Sequence, residues 1–374
     1  MRLPRFRLRI RTLLWVALAA LVVLGLIGQK VYHDGPEIHW LALKLRFGNV
    51  EARRSAAAEV WALEMKSRLR YLVDPPNSAG PPTPEFLQER WNRRRRTELL
   101  FPVLLRATND NDPGCRANAL KALDVVTCFS GSDHEQDLTF RQALKAARDP
   151  VNSVRKAAMN ALSGLAKRDK EAVIATIQSA LADPSIEVRQ AAAWELGQLG
   201  LLIPESQPRI AAILIPLLAG REDPRVRAKA AWGMCLFGQD SQRHSTCPDL
   251  FPALLAALND PEVEVRRALV DILGTTSSDS SGQKVLRWDK RKDAILSALK
   301  AAIDDTDKTI RENAALALFD IGMREPVLIE LIKQAGRDPA RVQKSRFVSA
   351  LEEGEKERES KNPVEPDARS KVTQ

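Results

Sequence analysis

Side chains that could catalyse a reaction or bind a metal are few in this sequence, and their spacing matches none of the usual signatures. No two of the four histidines lie four residues apart, no His-Glu-x-x-His sequence occurs, and the four cysteines form no Cys-x-x-Cys pair, which removes the common zinc motifs. No glycine-rich phosphate loop and no Gly-x-Ser-x-Gly sequence is present either. We therefore predict no catalytic residue, no cofactor and no metal site.

The cysteines leave one covalent possibility open. Cys235 ends one predicted helix, and Cys247 follows the loop GQDSQRHSTC, so a disulfide between them would close a short loop in an oxidising compartment. Cys115 and Cys128 lie on one predicted helix, roughly 20 Å apart along its axis, which is too far for a bridge. The disulfide between Cys235 and Cys247 is a prediction.

Arginines recur along the chain within a repeated block, of which residues 183–200, DPSIEVRQAAAWELGQLG, are the clearest copy. The aspartate can cap a helix, and the proline suits the first helical position. Apolar residues then follow at helical spacing, and Gly200, Gly238 and Gly274 are expected to end their helices in a left-handed cap. The seven marker arginines are Arg53, Arg116, Arg155, Arg189, Arg227, Arg266 and Arg311.

A second amphipathic segment precedes each block, as in residues 171–182 and 208–219. Two antiparallel helices per repeat, stacked side by side, predict an all-α solenoid. The pattern D-P-x-x-x-V-R-x-A-A-A-x-x-L-G resembles HEAT-like repeats, particularly the short Ala-rich kind of the phycobilin lyases, over residues 36–352. The resemblance implies about seven helical hairpins and a protein that binds other macromolecules. It also implies that the arginine ladder pairs with acidic groups between neighbouring repeats, with ligand binding as the alternative.

One position of the block varies in a way that suggests exposure. Trp194 and Trp232 occupy it in adjacent repeats, and the other copies place Lys121, Asn160, Asp271 and Leu316 there. By the resemblance, this position lies on the second helix and faces the concave surface, where two neighbouring indoles would form a recognition patch. The alternative is that both tryptophans pack between helices.

A cluster of arginines, Arg90 and Arg93 to Arg96, lies on a predicted long helix. Glu89 can pair with Arg93, and Glu98 with Arg94 or Arg95, at helical spacing. The cluster is therefore interpreted as a salt-bridged, solvated helix. The alternative is a site for an acidic partner or for lipid headgroups.

The N-terminus has the pattern of a signal anchor. Residues 1–11 contain five arginines and no acidic residue, and residues 12–29 contain no charge; 18 helical residues span roughly 27 Å, a thin bilayer core. The positive-inside rule places the N-terminus in the cytoplasm and the repeats beyond the membrane. We predict an uncleaved, single-pass anchor in a bacterial inner membrane; a cleaved signal peptide and a buried helix are the alternatives.

Several segments are predicted to lie outside regular repeats. The Pro-rich insertion 73–84 and residues 128–137 and 275–284 are expected to be loops. Residues 337–352 are interpreted as a degenerate last repeat, and the charged segment 353–374 as a disordered tail.

The net charge of +9 reflects local clusters. The five arginines of residues 1–11 and the four of residues 93–96 equal the whole excess, so no basic surface extends along the repeats and no nucleic acid is expected as a partner. We predict a non-catalytic, membrane-anchored scaffold that binds a protein. A phycobilin-lyase-like or DNA-glycosylase-like enzyme is one alternative, and a structural membrane-tethered spacer is the other.

Overall fold

The computed structural model describes residues 36–73, 84–238, 247–274, 276–278, 284–286, 292–320, 323 and 326–334. The predicted anchor 12–29, the basic segment 1–11, nearly all of the Pro-rich insertion, the last repeat 337–352 and the tail 353–374 lie outside these residues. In the described part of the chain, no helix is both long enough and apolar enough to cross a membrane.

The described chain is helical apart from one small hairpin and its connections, which confirms the all-α prediction. The first helices of the seven pairs are α1 (Pro36–Phe47), α3 (Pro84–Ala107), α5 (Asp133–Ala146), α7 (Lys170–Ser179), α9 (Gln207–Ala219), α11 (Leu250–Ala256) and α13 (Lys292–Ala302). The second helices are α2 (Val50–Val73), α4 (Pro113–Ser130), α6 (Asn152–Gly164), α8 (Ile186–Leu202), α10 (Pro224–Gly238), α12 (Val263–Leu273) and α14 (Lys308–Asp320), and α15 (Pro326–Gln334) follows.

Short 3₁₀ segments extend or connect three of the pairs, at Ala180–Ala182, Pro204–Ser206 and Ala257–Asn259. Between α12 and α13, strands β1 (Thr276–Ser278) and β2 (Lys284–Leu286) pair antiparallel, with Ser277 opposite Val285. Residues 275–284 do lie between two helix pairs, as predicted for a loop between repeats, but their described residues form β1 and the start of β2.

The helices form two compact units, residues 1–206 and residues 207–374. In the first unit, α2, α4, α6 and α8 pack one against the next, and in the second unit α10, α12 and α14 do the same. Each of these second helices except α12 also packs on the first helix of its own pair, and α12 packs on the 3₁₀ segment Ala257–Asn259 that follows its first helix. Buried alanines such as Ala119, Ala158 and Ala192 lie along the second helices, and their small side chains allow the close approach that stacking requires.

The aspartate that opens each block has a different role from the one predicted in several repeats. Asp112 does cap α4, since its side chain accepts the backbone N–H of Cys115. In contrast, α6, α8 and α12 begin three residues after the aspartate and have no side-chain cap. There the aspartate accepts the N–H two residues further on, and so forms a tight turn before the helix; the pairs are Asp149 with Val151, Asp183 with Ser185 and Asp260 with Glu262.

The predicted left-handed glycine caps are wrong at two positions. Gly200 lies inside α8, which continues to Leu202, and Gly274 has a φ of −74° in the right-handed region. At Gly274 the small residue serves close packing: a Cβ there would lie 2.6 Å from the Cβ of Ala317 on α14. Gly238 is the last residue of α10.

The prediction of a loop over residues 128–137 is also wrong. Helix α4 continues to Ser130, and α5 begins at Asp133, where Ser132 and Glu135 form a reciprocal capping box. The Ser-x-x-Glu spacing was visible in the sequence, but the polar residues between Ser132 and Asp137 obscured the amphipathic helix. The long helix predicted after the Pro-rich insertion is confirmed as α3.

Candidate functional site: the second-helix surface

Within each unit, arginine–aspartate pairs fix the position of one second helix relative to the next. Arg155 on α6 donates through Nε and Nη2 to the two carboxylate oxygens of Asp183, at 2.7 and 2.8 Å. Such a two-point contact sets orientation as well as distance. The same contact joins Arg53 to Asp110, Arg116 to Asp149, Arg227 to Asp260 and Arg266 to Asp305.

The remaining guanidinium nitrogen of each arginine ties the side chain to its own loop. Nη1 of Arg155 donates to the carbonyl oxygens of Asp149 and Pro150 at 2.9 and 3.0 Å. Arg189 donates in the same way to the carbonyl oxygens of Asp183 and Pro184. Arg311 donates to those of Asp305 and Thr306. The arginine therefore links two successive loops and orients the helix that begins between them.

These contacts favour the charged state of Asp110, Asp183 and Asp305. The hydrogen bond from Arg155 lowers the pKa of Asp183, and those from Arg53 and Arg266 lower the pKa values of Asp110 and Asp305. Burial by itself would raise these pKa values, so each paired guanidinium offsets the cost of burying its carboxylate.

At the start of the α4 block the aspartate paired with the marker arginine is not the one of the Asp-Pro pair. Arg53 binds Asp110, whereas Asp112 of the Asp-Pro pair binds Arg54. The spacing gives the reason. The aspartate lies six residues before the arginine of the same block at residues 110, 149, 183, 260 and 305. This six-residue interval, more than the Asp-Pro pair, is the sequence signal for the contact.

The variable position of the block is open to solvent on every second helix from α4 to α14. Lys121, Asn160 and Asp271 are exposed, and Trp194, Trp232 and Leu316 are half-buried. We refer to these six residues as the second-helix surface. The next residue along each helix, such as Ala122 or Ala161, is buried, so the exposure belongs to the position and not to the whole helix.

Each unit carries three of these residues, on second helices that pack one against the next. In the first unit they are Lys121, Asn160 and Trp194, and in the second unit they are Trp232, Asp271 and Leu316. Asp271 accepts a hydrogen bond from Asn313 at 2.7 Å. Because the two tryptophans belong to different units, a patch that contains both indoles stays a prediction.

A buried carboxyl beside this surface was missed by the sequence analysis. Glu195 on α8 is only 5% exposed and accepts a hydrogen bond from the Ser163 hydroxyl on α6. Burial raises its pKa to about 8, the Ser163 contact lowers the pKa and the negative charge of Asp124 raises it further. The available signal was that Glu195 replaces the Ala, Gly or Ile found at this position from the α4 block to the α14 block.

The neighbours of Glu195 belong to the two preceding repeats. The Cys128 thiol donates to Asp124 at 3.3 Å, and a Cβ at Gly164 would lie 2.6 Å from the same carboxylate. We call the buried Ser163 and Glu195, together with the half-buried Asp124, the buried polar cluster. The three residues lie on α4, α6 and α8, so the cluster can couple these stacked helices. Because Glu195 is buried, its carboxyl is not accessible to a substrate.

Comparison with known proteins places this geometry in a family. The family model described as HEAT repeats matches residues 139–235, 210–293 and 251–352, which together make up more than half of the chain. The chain belongs to the HEAT-repeat family. No curated protein matches it.

Several solved structures are also similar to this chain. A mutant of Kap121p is 16% identical with a TM-score of 0.50, over 84% of this chain and 32% of that one. An engineered protein is 16% identical with a TM-score of 0.43, over 69% and 97%, and a designed armadillo repeat protein in complex with a (KR)4 peptide is 18% identical with a TM-score of 0.39, over 59% and 99%. The likeness to Kap121p concerns the fold alone.

The arginine cluster on α3 takes part in contacts between HEAT helices. Arg94 binds Glu98, as predicted, and also Glu135 on α5, and Arg96 binds Glu64 on α2 at 2.9 Å. The guanidinium of Arg95 lies 5.2 Å from the ring centre of Trp91. The Glu89 side chain, the predicted partner of Arg93, lies outside the described side chains.

The thiols of the HEAT array differ in accessibility. Cys115 is buried, and burial raises its pKa to about 11, so its thiol is unreactive at neutral pH. Cys235 is buried on α10, and Cys247 is half-buried; the disulfide between them stays a prediction. Among the described residues, no group of three or more His, Cys, Asp or Glu side chains is placed to hold a metal ion.

Proposed function

We propose that this HEAT-repeat chain is a non-catalytic scaffold that binds a protein partner through its second-helix surface. The observation that supports this proposal is the accessibility of one repeat position on six successive second helices, from α4 to α14. Within each unit the second helices that carry this position pack one against the next, and repeat proteins use such rows of side chains to recognise extended partners.

The chemistry of that position favours recognition over packing. Around Trp194, the residues Ala193, Glu195 and Leu196 are buried, while the indole itself is half-buried. The position holds a cation, an amide, an indole and an anion in different repeats, and a packing position would not tolerate that variety. Tryptophans are frequent anchors in protein interfaces, so Trp194 and Trp232 would each provide one anchor on their own unit.

The scaffold is proposed to be held at a bacterial inner membrane by residues 12–29, with residues 1–11 in the cytoplasm and the repeats on the other side. The support is the sequence: an uncharged window of 18 residues follows five arginines, with only Lys30 beyond it. Protease digestion of intact cells and of spheroplasts tests this orientation. Protection of the repeats in spheroplasts would contradict it.

A structural spacer is the second candidate, and the arginine–aspartate contacts favour it because they stiffen an array whether or not anything binds. An enzyme related to the Ala-rich phycobilin-lyase type or to the HEAT-like glycosylases would need an accessible catalytic group. Glu195 is 5% exposed, and Asp271 already accepts a hydrogen bond from Asn313. These contacts favour recognition over catalysis.

Affinity capture from membranes with the full chain tests the proposal. The Trp194→Ala/Trp232→Ala variant is expected to lose the partner recovered with the wild type, because both anchors are gone, while its melting temperature changes by only a few degrees. The matched control is Leu201→Ala/Leu202→Ala, which removes two exposed apolar side chains from the end of α8 and should retain the partner. Equal recovery with the tryptophan variant, or a large fall in its melting temperature, would contradict the recognition surface.

A further inference from the structure

Helix α1 is apolar on two opposite sides, and only one of them is used by the fold. Ile38, Leu41 and Leu45 are at most 5% exposed and belong to the core formed with α2, α3 and α4. Trp40, Leu43 and Phe47 are 60%, 49% and 72% exposed. Both sets have members three and four residues apart, so each forms a stripe, and the helical repeat of 3.6 residues puts the two stripes on opposite sides of the helix. We call Trp40, Leu43 and Phe47 the outer stripe.

Basic side chains lie along both edges of the outer stripe. The Lys44 ammonium is 5.9 Å from the ring centre of Trp40, and the Arg46 guanidinium is 5.2 Å from that of Phe47. Lys44 also lies 3.6 Å from Glu59 on α2, yet it remains partly exposed. Aromatic rings between long basic side chains are typical of helices that lie in a membrane interface, because the rings enter the headgroup region and the cations reach the phosphates.

The position of α1 in the chain makes a bilayer reachable. The predicted anchor ends at residue 29 and α1 begins at Pro36. The six residues between them span at most about 20 Å when fully extended. If the anchor crosses the membrane, the first turn of α1 is therefore held close to the headgroups.

We propose that the outer stripe of α1 lies in the surface of a bilayer with anionic headgroups, as a second membrane contact beside the anchor. This inference rests on the proposed membrane tether. The anchor alone attaches the repeats at one point. An interfacial α1 adds a second contact that orients the first repeat, because Ile38, Leu41 and Leu45 on its other side belong to the core of that repeat. The other possible occupants of the outer stripe are the apolar residues 13–28 of the same chain and a second copy of the protein.

Quenching of tryptophan fluorescence in reconstituted vesicles tests the proposal. The full chain is incorporated into vesicles of phosphatidylglycerol and phosphatidylcholine, with or without brominated acyl chains, and floated on a density gradient. The difference in emission between the wild type and Trp40→Phe isolates the Trp40 signal. We expect brominated lipid to quench most of that signal and to leave the signal isolated in the same way with Trp194→Phe unchanged.

The outcomes separate this inference from the tether on which it rests. Failure of the chain to float would contradict both. Flotation with an unquenched, water-exposed Trp40 would overturn the lipid contact and leave the tether standing. Flotation with a blue-shifted but unquenched Trp40 would also overturn it, because the outer stripe would then be covered by protein. A Trp40→Glu/Phe47→Glu variant with unchanged circular dichroism should still float, but its repeats should be cleaved faster by added protease near α1.

Discussion

At the scale of residues, the recurring contact of this protein involves an aspartate that lies six residues before the arginine of its own block. The carboxylate of this aspartate is bound by the arginine of the preceding repeat. In the Arg155–Asp183 pair the side chains are 14% and 10% exposed. A charge at such a depth is costly without its partner. Removing one partner of this pair should therefore lower the free energy of unfolding far more than removing one partner of an exposed pair.

Replacing Arg155 with alanine should lower the free energy of unfolding by roughly 3 kcal/mol, since Asp183 is left buried without its guanidinium. The matched control is Lys170→Ala, which breaks the exposed pair of Lys170 and Glu205 in the same unit and should cost less than about 1 kcal/mol. Urea unfolding followed by circular dichroism measures both. Similar losses of unfolding free energy in the two variants would contradict the prediction that the buried pair stabilises the fold more than the exposed pair.

Glu195 gives the first unit a pH dependence of the opposite sign to that of its aspartates. Its pKa of about 8 lies above the ordinary value of 4.5, so the folded state binds the extra proton between those values. The stability that this carboxyl contributes is complete below about pH 4.5 and is lost as the pH rises toward 8. Asp110 and Asp183, whose pKa values are lowered, contribute stability above about pH 4 that is lost on acidification.

The urea midpoint of the wild type should therefore decrease as the pH is raised from 5 to 8. The ionisation of this one group lowers the free energy of unfolding by at most about 1.4 kcal/mol per pH unit. In Glu195→Gln the side chain cannot ionise, and that decline should flatten while the loss below pH 4 remains. A wild type whose midpoint is constant from pH 5 to pH 8, or a variant that keeps the decline, would contradict the burial of a neutral Glu195.

At the scale of elements, the seven helix pairs followed from seven sequence blocks because the apolar periodicity and the marker arginines repeat in register. The first residues of α6, α8 and α12 could not be predicted from the blocks. Asp149, Asp183 and Asp260 form turns and arginine contacts there instead of helix caps. The first turn of α5 was missed because its polar residues resemble a loop. The buried polar cluster was missed because three positions that meet across stacked helices are far apart in the sequence.

The packing of α12 on α14 gives a test at this scale. Gly274→Ala would place a methyl group 2.6 Å from the Cβ of Ala317, so we expect a loss of about 1–3 kcal/mol from overpacking. Adding Ala317→Gly, which removes the opposing methyl group, should recover part of that loss. Thermal unfolding measures all three proteins. A Gly274→Ala variant as stable as the wild type would contradict the close approach of these helices.

At the scale of the whole molecule, the net charge of +9 has a structural explanation. Five arginines precede the predicted anchor, and in the α3 cluster Arg94 and Arg96 bind glutamates of neighbouring helices. Nucleic acid is therefore not the partner that this charge distribution predicts. The proposed protein-binding position is the accessible one on the second helices of each unit, and the proposed membrane contact is the outer stripe of α1.

The central claim is that the second-helix surface binds a protein, and site-specific photo-cross-linking in living cells tests it most directly. A photoreactive amino acid at Asn160, an exposed member of that surface, should form a cross-link to one defined protein. The same probe at Ala175, exposed on the first helix α7, should not form that cross-link. No adduct from Asn160, or the same adduct from both positions, would contradict recognition through the second-helix surface.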